Sequence, residues 1–283
     1  MGVEALTARI EHSPALAAVG RSLGRRFASV VRPGTVKDLL SGTWLGHPLH
    51  PLLTDLTIGA WTSAAALDLF GGRQTQAAAD ALVGLGVASA LPTAVTGLSD
   101  LSDVEDRQVR GIGAAHALGN TGALALYGLS YVARRRGQRP VATTLSVLGG
   151  AVMAAAGFLG GHLSYRKGLG VDRTAFLARL DEWTAVADDD ALPEAKAQRV
   201  TVSGTDVLLY RHEGRIYALT NRCSHRGGPL DKGRIEDAQV TCPWHRSRFC
   251  LLDGSIVQGP ATAPQPVYDV RVQAGKIEIR TRR

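Results

Sequence analysis

Four residues in the last third of the chain have the types and spacing of a metal centre. Cys223-Ser224-His225 offers one thiolate and one imidazole, and Cys242-Pro243-Trp244-His245 offers a second pair. Two chemistries use such a set. A [2Fe-2S] cluster can take two cysteines on one iron and two histidines on the other, and tetrahedral zinc can take the same four side chains. Zinc sites more often pair like with like, Cys-x-x-Cys with His-x-x-x-His, so one thiolate and one imidazole in each loop favours the iron–sulfur cluster. Gly227 and Gly228 follow the first histidine, where a bare backbone can approach the sulfides and aim N–H groups at them. The third cysteine, Cys250, stands outside this spacing. Three cysteines make no disulfide framework, and Cys250 is read as a small buried residue.

The elements that must hold these loops are short strands. From Trp183 onward apolar and polar residues alternate over 199–202, 206–212 and 215–219, then 239–242, 255–257, 267–272 and 276–280. Glu213-Gly214 and Ala274-Gly275 read as hairpin turns between them. Many short strands in about 100 residues imply a small all-β sandwich or barrel.

On these motifs residues 182–283 closely resemble the Rieske ferredoxins and the Rieske domains of ring-hydroxylating oxygenases. Gly259-Pro260-Ala261 matches the proline-rich loop that covers the cluster in that family. The resemblance implies that Cys223 and Cys242 hold the inner iron and that His225 and His245 hold the outer, more exposed one. Three departures stand out. Gly228 and Trp244 occupy the positions at which respiratory-complex Rieske proteins carry an extra disulfide. Phe249 replaces a tyrosine that hydrogen-bonds a ligand sulfur there, although Ser247 is kept. Arg246 and Cys250 stand where the family usually has Gly and Asp, and Arg246 calls the tightness of the second loop into question. Fewer hydrogen bonds to sulfur imply a less stabilised reduced cluster.

The rest of the chain is of another kind. Of the net charge of +7, residues 1–181 carry +5 and residues 182–283 carry +2. The excess lies in an Ala-, Gly- and Leu-rich region, where it suits anionic lipid better than nucleic acid. Residues 52–70, 78–98, 112–132 and 141–163 are each long enough to cross a bilayer core of about 30 Å at 1.5 Å per residue. Short polar connections imply an up-down bundle, and residues 3–30 read as an amphipathic surface helix. Arg25-Arg26-Phe27 is similar to a twin-arginine export signal, but Arg32, Pro33 and Gly34 interrupt the apolar run that should follow. No cleavable signal peptide is evident. Twelve Lys/Arg flank the ends shared by the N- and C-termini, and five flank the other ends, which places the former side in the cytoplasm. The cluster Arg134–Arg136 argues the other way. His47-Pro48-Leu49-His50-Pro51 followed by a Leu-rich helix resembles an uncharacterised family of bacterial four-helix membrane proteins.

The expected architecture is therefore α+β and multidomain: a four-helix transmembrane bundle followed by a small all-β Rieske domain. Its divisions are a surface segment at 1–50, a transmembrane domain at 51–165, a linker at 166–181 and the Rieske domain at 182–283. The expected function is a membrane-anchored [2Fe-2S] electron carrier of a bacterial-type multi-pass membrane protein. It would work between a redox protein or quinone and a membrane site, with the Rieske domain on the cytoplasmic side. No nucleic acid is expected as a partner. The alternatives are the electron-donating component of a membrane oxidoreductase and a tethered redox sensor. No facial triad for mononuclear iron is evident, so an electron carrier or oxidoreductase component fits better than a complete catalyst. His47, His50, His116 and His162 all fall on the side from which the Rieske domain emerges. His116 and His162 are the candidate axial ligands of a haem b. A non-haem metal or quinone site built from His47, His50 and Asp55 is the alternative, and ordinary helix capping by the histidines competes equally with both.

Overall fold

The computed structural model describes residues 2–282. The chain forms two compact units. One holds the residues up to Arg32 together with Pro48–Gly170, and the other holds Pro33–His47 together with the chain from Val171 onward. The backbone therefore passes between the units three times, after Arg32, His47 and Gly170. Residues 33–47, read from sequence as part of an N-terminal surface segment, group with the β unit.

The first unit is helical: α1 (Val3–Glu11), α2 (Pro14–Val30), α4 (Leu49–Phe70), α5 (Gln76–Ser102), α6 (Arg107–Arg135) and α7 (Arg139–Gly161). The single helix expected over residues 3–30 is two helices. Ser13 caps α2 by accepting from the Leu16 N–H, and Pro14 takes its first position. The small face of α2, with Ala17, Gly20 and Gly24, is buried against α5 and α6 rather than lying free. The four long helices follow the expected spans closely, because apolar runs of that length leave little freedom to end elsewhere. Trp61, Ala64, Val83, Ala123, Tyr127 and Met153 form their common core. There the Trp61 and Tyr127 rings stack at 4.0 Å.

Two of the four, α5 and α7, are long and apolar enough to cross a membrane. The expectation of four spans is thus met by two. The reason lies in polar side chains on the other pair: Thr54, Thr57 and Asp68 on α4, and His116, Asn120, Ser130 and Arg134 on α6. Arg134 is buried and donates to Asp80 at 2.8 Å and to Asp68, while Arg139 pairs with the same two carboxylates. A helical region followed by a small β domain is what the chain builds.

In the second unit α3 (Thr35–Ser41) joins ten strands: β1 (Thr184–Asp188), β2 (Ala197–Val202), β3 (Thr205–His212), β4 (Arg215–Thr220), β5 (Arg234–Glu236), β6 (Gln239–Thr241), β7 (Arg248–Cys250), β8 (Ile256–Gln258), β9 (Tyr268–Gln273) and β10 (Lys276–Thr281). They form three antiparallel sheets ordered β1-β10-β9, β2-β3-β4 and β5-β6-β7-β8. Two-residue turns with positive φ at both positions close four hairpins: Ser203-Gly204, Glu213-Gly214, Asp237-Ala238 and Ala274-Gly275. This is the geometry whose twist matches that of the flanking strands. One core, with Leu208, Leu219, Leu230, Val240, Phe249 and Leu251, runs directly beneath Cys223 and Cys242.

Candidate iron–sulfur site

Two loops project from the β unit, one after β4 and one between β6 and β7, and they share one design. In the first, the Gly227 N–H donates to the Cys223 carbonyl at 2.8 Å and the Cys223 N–H to Gly228 at 2.9 Å. In the second, the Arg246 N–H donates to the Cys242 carbonyl at 3.1 Å and the Cys242 N–H to Ser247 at 2.8 Å. Each loop then turns two N–H groups onto its own sulfur: those of His225 and Arg226 onto Cys223, and those of Trp244 and His245 onto Cys242. The left-handed residue that closes each turn is Gly227 in one and Arg246 in the other, with φ of 79° and 66°. The arginine thus adopts the conformation that glycine favours, and the second loop is as tight as the first.

The loops bring the four donors together as two pairs. The cysteine sulfurs are hydrogen-bonded to each other, and the His225 and His245 rings lie 5.1 Å apart at an interplanar angle of 89°. The Cys223 thiol and the loop N–H groups hold Cys242 down to about 7, while the same bond and burial push Cys223 up. Burial, with the nearby charges of Arg226, His245, Lys37 and Arg173, holds His225 well below the usual histidine range, so the ring is neutral and able to ligate. A Cβ at Gly228 would meet the Cys242 sulfur at 2.8 Å and Trp244 at 3.1 Å, so only glycine lets the two loops come this close. Among the described residues no three His, Cys, Asp or Glu side chains are placed to hold a single ion. Tetrahedral zinc needs all four donors about one point. A sulfur pair beside an imidazole pair instead suits two irons.

A third loop locks the first two, and its key residue is invisible in the ligand pattern. Gln265 is buried, donates to the carbonyls of Thr220 and Arg222 at 2.7 Å each, and accepts the Ser224 N–H at 3.0 Å. Ser224 Oγ donates to Ala263 O at 2.8 Å, and Ser247 Oγ accepts the Ala261 N–H at 3.0 Å. Residues 33–47 reach the same loop: Thr43 Oγ1 donates to Ala261 O at 3.1 Å, and the Gly259 N–H bonds to the Asp38 carboxylate. Burial raises the Asp38 pKa against the opposing effects of that N–H and of Arg248. Phe249 is fully buried in the core, and Cys250 is half-buried with its thiol near Asp253. Beside the second loop, Lys232, Arg234, Arg246 and Arg248 line a cleft of about 350 Å³ that also contains Glu236 and reaches Cys242.

Comparison with known proteins identifies the domain. The profile of the Rieske [2Fe-2S] domain family matches residues 182–269. The ferredoxin subunit of a 3-phenylpropionate/cinnamic acid dioxygenase from Photorhabdus laumondii is 37% identical over 91 residues, which are 32% of this chain and 86% of that one. Its counterpart from Escherichia coli K12 is 39% identical over 89 residues, 31% of this chain and 83% of that one. The chain belongs to the Rieske [2Fe-2S] family. The protein accordingly carries a [2Fe-2S] cluster, with the donor chemistry of the two loops to match. The Rieske domain also aligns with the ferredoxin of carbazole 1,9a-dioxygenase from Nocardioides aromaticivorans IC177, at 29% identity and a TM-score of 0.34, over 36% of this chain and all of that one. Residues 46–173 match a second family, described as Predicted membrane protein (DUF2231).

The structure distributes the histidines of the helical unit differently from the expected haem pair. The ring facing His116 is that of His50, with centroids 6.3 Å apart at 84°. His162 is instead engaged by Glu11, Nε2 to Oε1 at 2.8 Å, in a pair that Lys167 joins at 3.1 Å. The sequence reading did not place a carboxylate of α1 at this end of α7. Asp55 is exposed, and His47, His50 and Asp55 are not among any group of three such side chains placed to hold a metal ion among the described residues.

Proposed function

We propose that the protein is a membrane-anchored Rieske electron carrier in which Cys223 and Cys242 ligate one iron and His225 and His245 the other. When bound, the cluster accepts and donates one electron at a time. The chain's own contribution is the double cradle: two N–H groups on each sulfur stabilise added negative charge, and the neutral His225 imidazole, beside that of His245, faces the second iron. The carrying observation is this pairing of sulfur with sulfur and ring with ring. The test is EPR and optical spectroscopy of the reduced full-length protein, which should show a Rieske spectrum that Cys242→Ser and His225→Ala each abolish. A cluster that survives either change sinks the assignment. Without the extra disulfide and with Phe249 in place of tyrosine, the midpoint should lie toward the low end of about −150 to +300 mV. A voltammetric midpoint near the top of that range would contradict the ferredoxin-like reading.

The proposed anchor is all four long helices. The polar groups that set α4 and α6 apart from α5 and α7 include Thr57, Ser130 and Arg134, which are buried, and inward-facing polar groups are what a spanning helix tolerates. Asp68 and Asp80 neutralise Arg134 and Arg139, two of the five positive charges on the side away from the termini. The count of twelve Lys/Arg against five carries the proposal of a cytoplasmic Rieske domain. Labelling of single cysteines introduced at Arg73 and Arg107 tests the topology, which requires opposite sides.

The basic cleft beside Cys242 fits an acidic redox protein, in keeping with the dioxygenase ferredoxins among the relatives. Electron transfer to such a partner should slow as salt shortens the Debye length. Rates indifferent to salt would leave electrostatic docking without support. A helical unit with buried polar groups and a histidine pair favours transfer to a membrane site over a plain tether or sensor.

A further inference from the structure

The helical unit contains a histidine pair that the cluster chemistry does not use. His50 lies in the first turn of α4 and His116 in the third turn of α6. Each ring is anchored through Nδ1 to a main-chain carbonyl on a further helix: His50 to Thr93 O of α5 at 2.9 Å, and His116 to Ala156 O of α7 at 2.8 Å. A carbonyl only accepts, so both Nδ1 atoms carry the proton and both Nε2 atoms carry the lone pair. Such an anchored imidazole is the usual form of a histidine metal ligand, its second nitrogen held by an outer partner.

The spacing of the rings agrees with this. An imidazole binds a first-row metal at about 2.0–2.1 Å, so two rings opposite each other on one metal have centres roughly 6 Å apart. The centroids of His50 and His116 are 6.3 Å apart. Both rings sit where a side chain would otherwise be. A Cβ at Gly97 would lie 2.8 Å from the His50 ring, and one at Gly160 would lie 2.9 Å from the His116 ring. Asn120, one turn beyond His116, places its amide 3.3 Å from both nitrogens of that ring. Each ring therefore has an anchoring carbonyl and a glycine, supplied by a different helix for each.

The ligand set decides between occupants. Two imidazoles are too few for a bare divalent ion, and no third His, Cys, Asp or Glu is placed to complete a site among the described residues. A quinone carbonyl needs a donor, but each Nε2 is an acceptor, and the neighbouring Asn120 amide already donates to the His116 main-chain carbonyl at 3.0 Å. A haem iron brings four in-plane nitrogens of its own and lacks only two axial ligands. We infer that His50 and His116 are the axial ligands of a b-type haem held among α4, α5, α6 and α7.

This inference goes beyond the Rieske reading and can fail separately from it. The test is titration of the purified full-length protein with hemin, read by optical and EPR spectra beside the EPR signal of the reduced cluster. One equivalent of hemin should bind and give a six-coordinate low-spin spectrum. His50→Gly and His116→Gly should each weaken binding at least tenfold, and added imidazole should restore it, while His162→Ala should bind as the unaltered protein does. The cluster signal should persist in all three variants; its absence from the unaltered protein would count against the Rieske reading alone. Failure of the unaltered protein to bind hemin overturns the inference. So does undiminished binding by the His50→Gly/His116→Gly double variant, equal loss in His162→Ala, or a loss that imidazole does not restore.

Discussion

In the first cluster loop the left-handed position is filled by Gly227 and in the second by Arg246, yet the same two backbone hydrogen bonds close both turns. The loops differ again in how they are held from outside. Ser224 of the first donates its hydroxyl to Ala263, whereas Ser247 of the second accepts the N–H of Ala261. The first loop has in addition the three hydrogen bonds of Gln265, while the second continues directly from β6 into β7 and is held by ladder pairing. A cysteine and a histidine on a tight turn can thus be presented by two different supports. The support, rather than the ligand motif, decides what each loop loses on substitution.

The comparison is broken most severely at Gln265. Replacing it with Leu removes all three bonds and leaves the Ser224 N–H and the Thr220 and Arg222 carbonyls without that partner in a buried site. Each such group costs about 1–3 kcal/mol, so a total loss of roughly 3–9 kcal/mol is expected. Denaturation midpoints should fall accordingly, and the variant should be purified with less than its full complement of iron. The sites of Trp244 and His245 depend on the second loop and should stay ordered to higher denaturant. Simultaneous loss of both loops would show that the two are one cooperative unit.

Gln265 also marks where sequence reasoning stopped. The four cluster donors were legible because ligands must be close in the chain to share a loop, and Cys-x-His and Cys-x-x-His record that spacing. A clamp from a distant loop leaves no spacing to read. Its only trace is Pro264-Gln265-Pro266, in which the second proline biases the glutamine to extended backbone and so fixes the direction of its side chain. The strands divide in the same way. Those of six or eight residues were visible as alternation, and their turns were visible as Glu213-Gly214 and Ala274-Gly275. Of the three-residue strands, β6 and β8 were legible, whereas β5 and β7, each opening on an arginine, and the five-residue β1 show no alternation long enough to read. Among the helices, the apolar runs fixed the extents of α4–α7 but not their rotations. The histidines could be assigned to one side of the unit, and only packing could turn His116 toward His50 and His162 toward Glu11.

A smaller break is expected at Gly228, where the two loops meet. A methyl group there would lie 2.8 Å from the Cys242 sulfur. The half-exposed Trp244 side chain can move aside, but a sulfur committed to iron cannot, so Gly228→Ala should cost about 1–3 kcal/mol as overpacking. The expected signature is reduced cluster occupancy with the fold retained, checked by iron content against circular dichroism. Full occupancy would mean that the loops separate without cost and are held apart from each other by their own supports.

Ser247→Ala probes the weaker tie of the second loop to the covering loop. It orphans the buried Ala261 N–H and should cost about 1–3 kcal/mol by thermal denaturation. The effect should fall below that of Gln265→Leu, since one bond is lost in place of three. An equal or larger loss would show that the second loop depends on the covering loop as much as the first does.

The last prediction concerns Arg246 and has the opposite sign. A side chain in the left-handed region costs roughly 1–2 kcal/mol, and glycine escapes that cost while losing about 0.5–1 kcal/mol of backbone entropy on folding. Arg246→Gly should therefore make the second loop like the first and stabilise the domain by about 0.5–1 kcal/mol. Arg246→Lys keeps both the strain and the charge and should leave stability unchanged. The two variants separate conformation from electrostatics, because Arg246 also lines the basic cleft beside Cys242. If docking uses that cleft, Arg246→Gly should be the more stable protein and the slower electron donor to an acidic partner, with a weaker dependence on salt. Arg246→Lys should match the unaltered chain in both respects. Destabilisation by Arg246→Gly would show that the guanidinium holds the loop through its own contacts, and that the two loops resemble each other only in backbone.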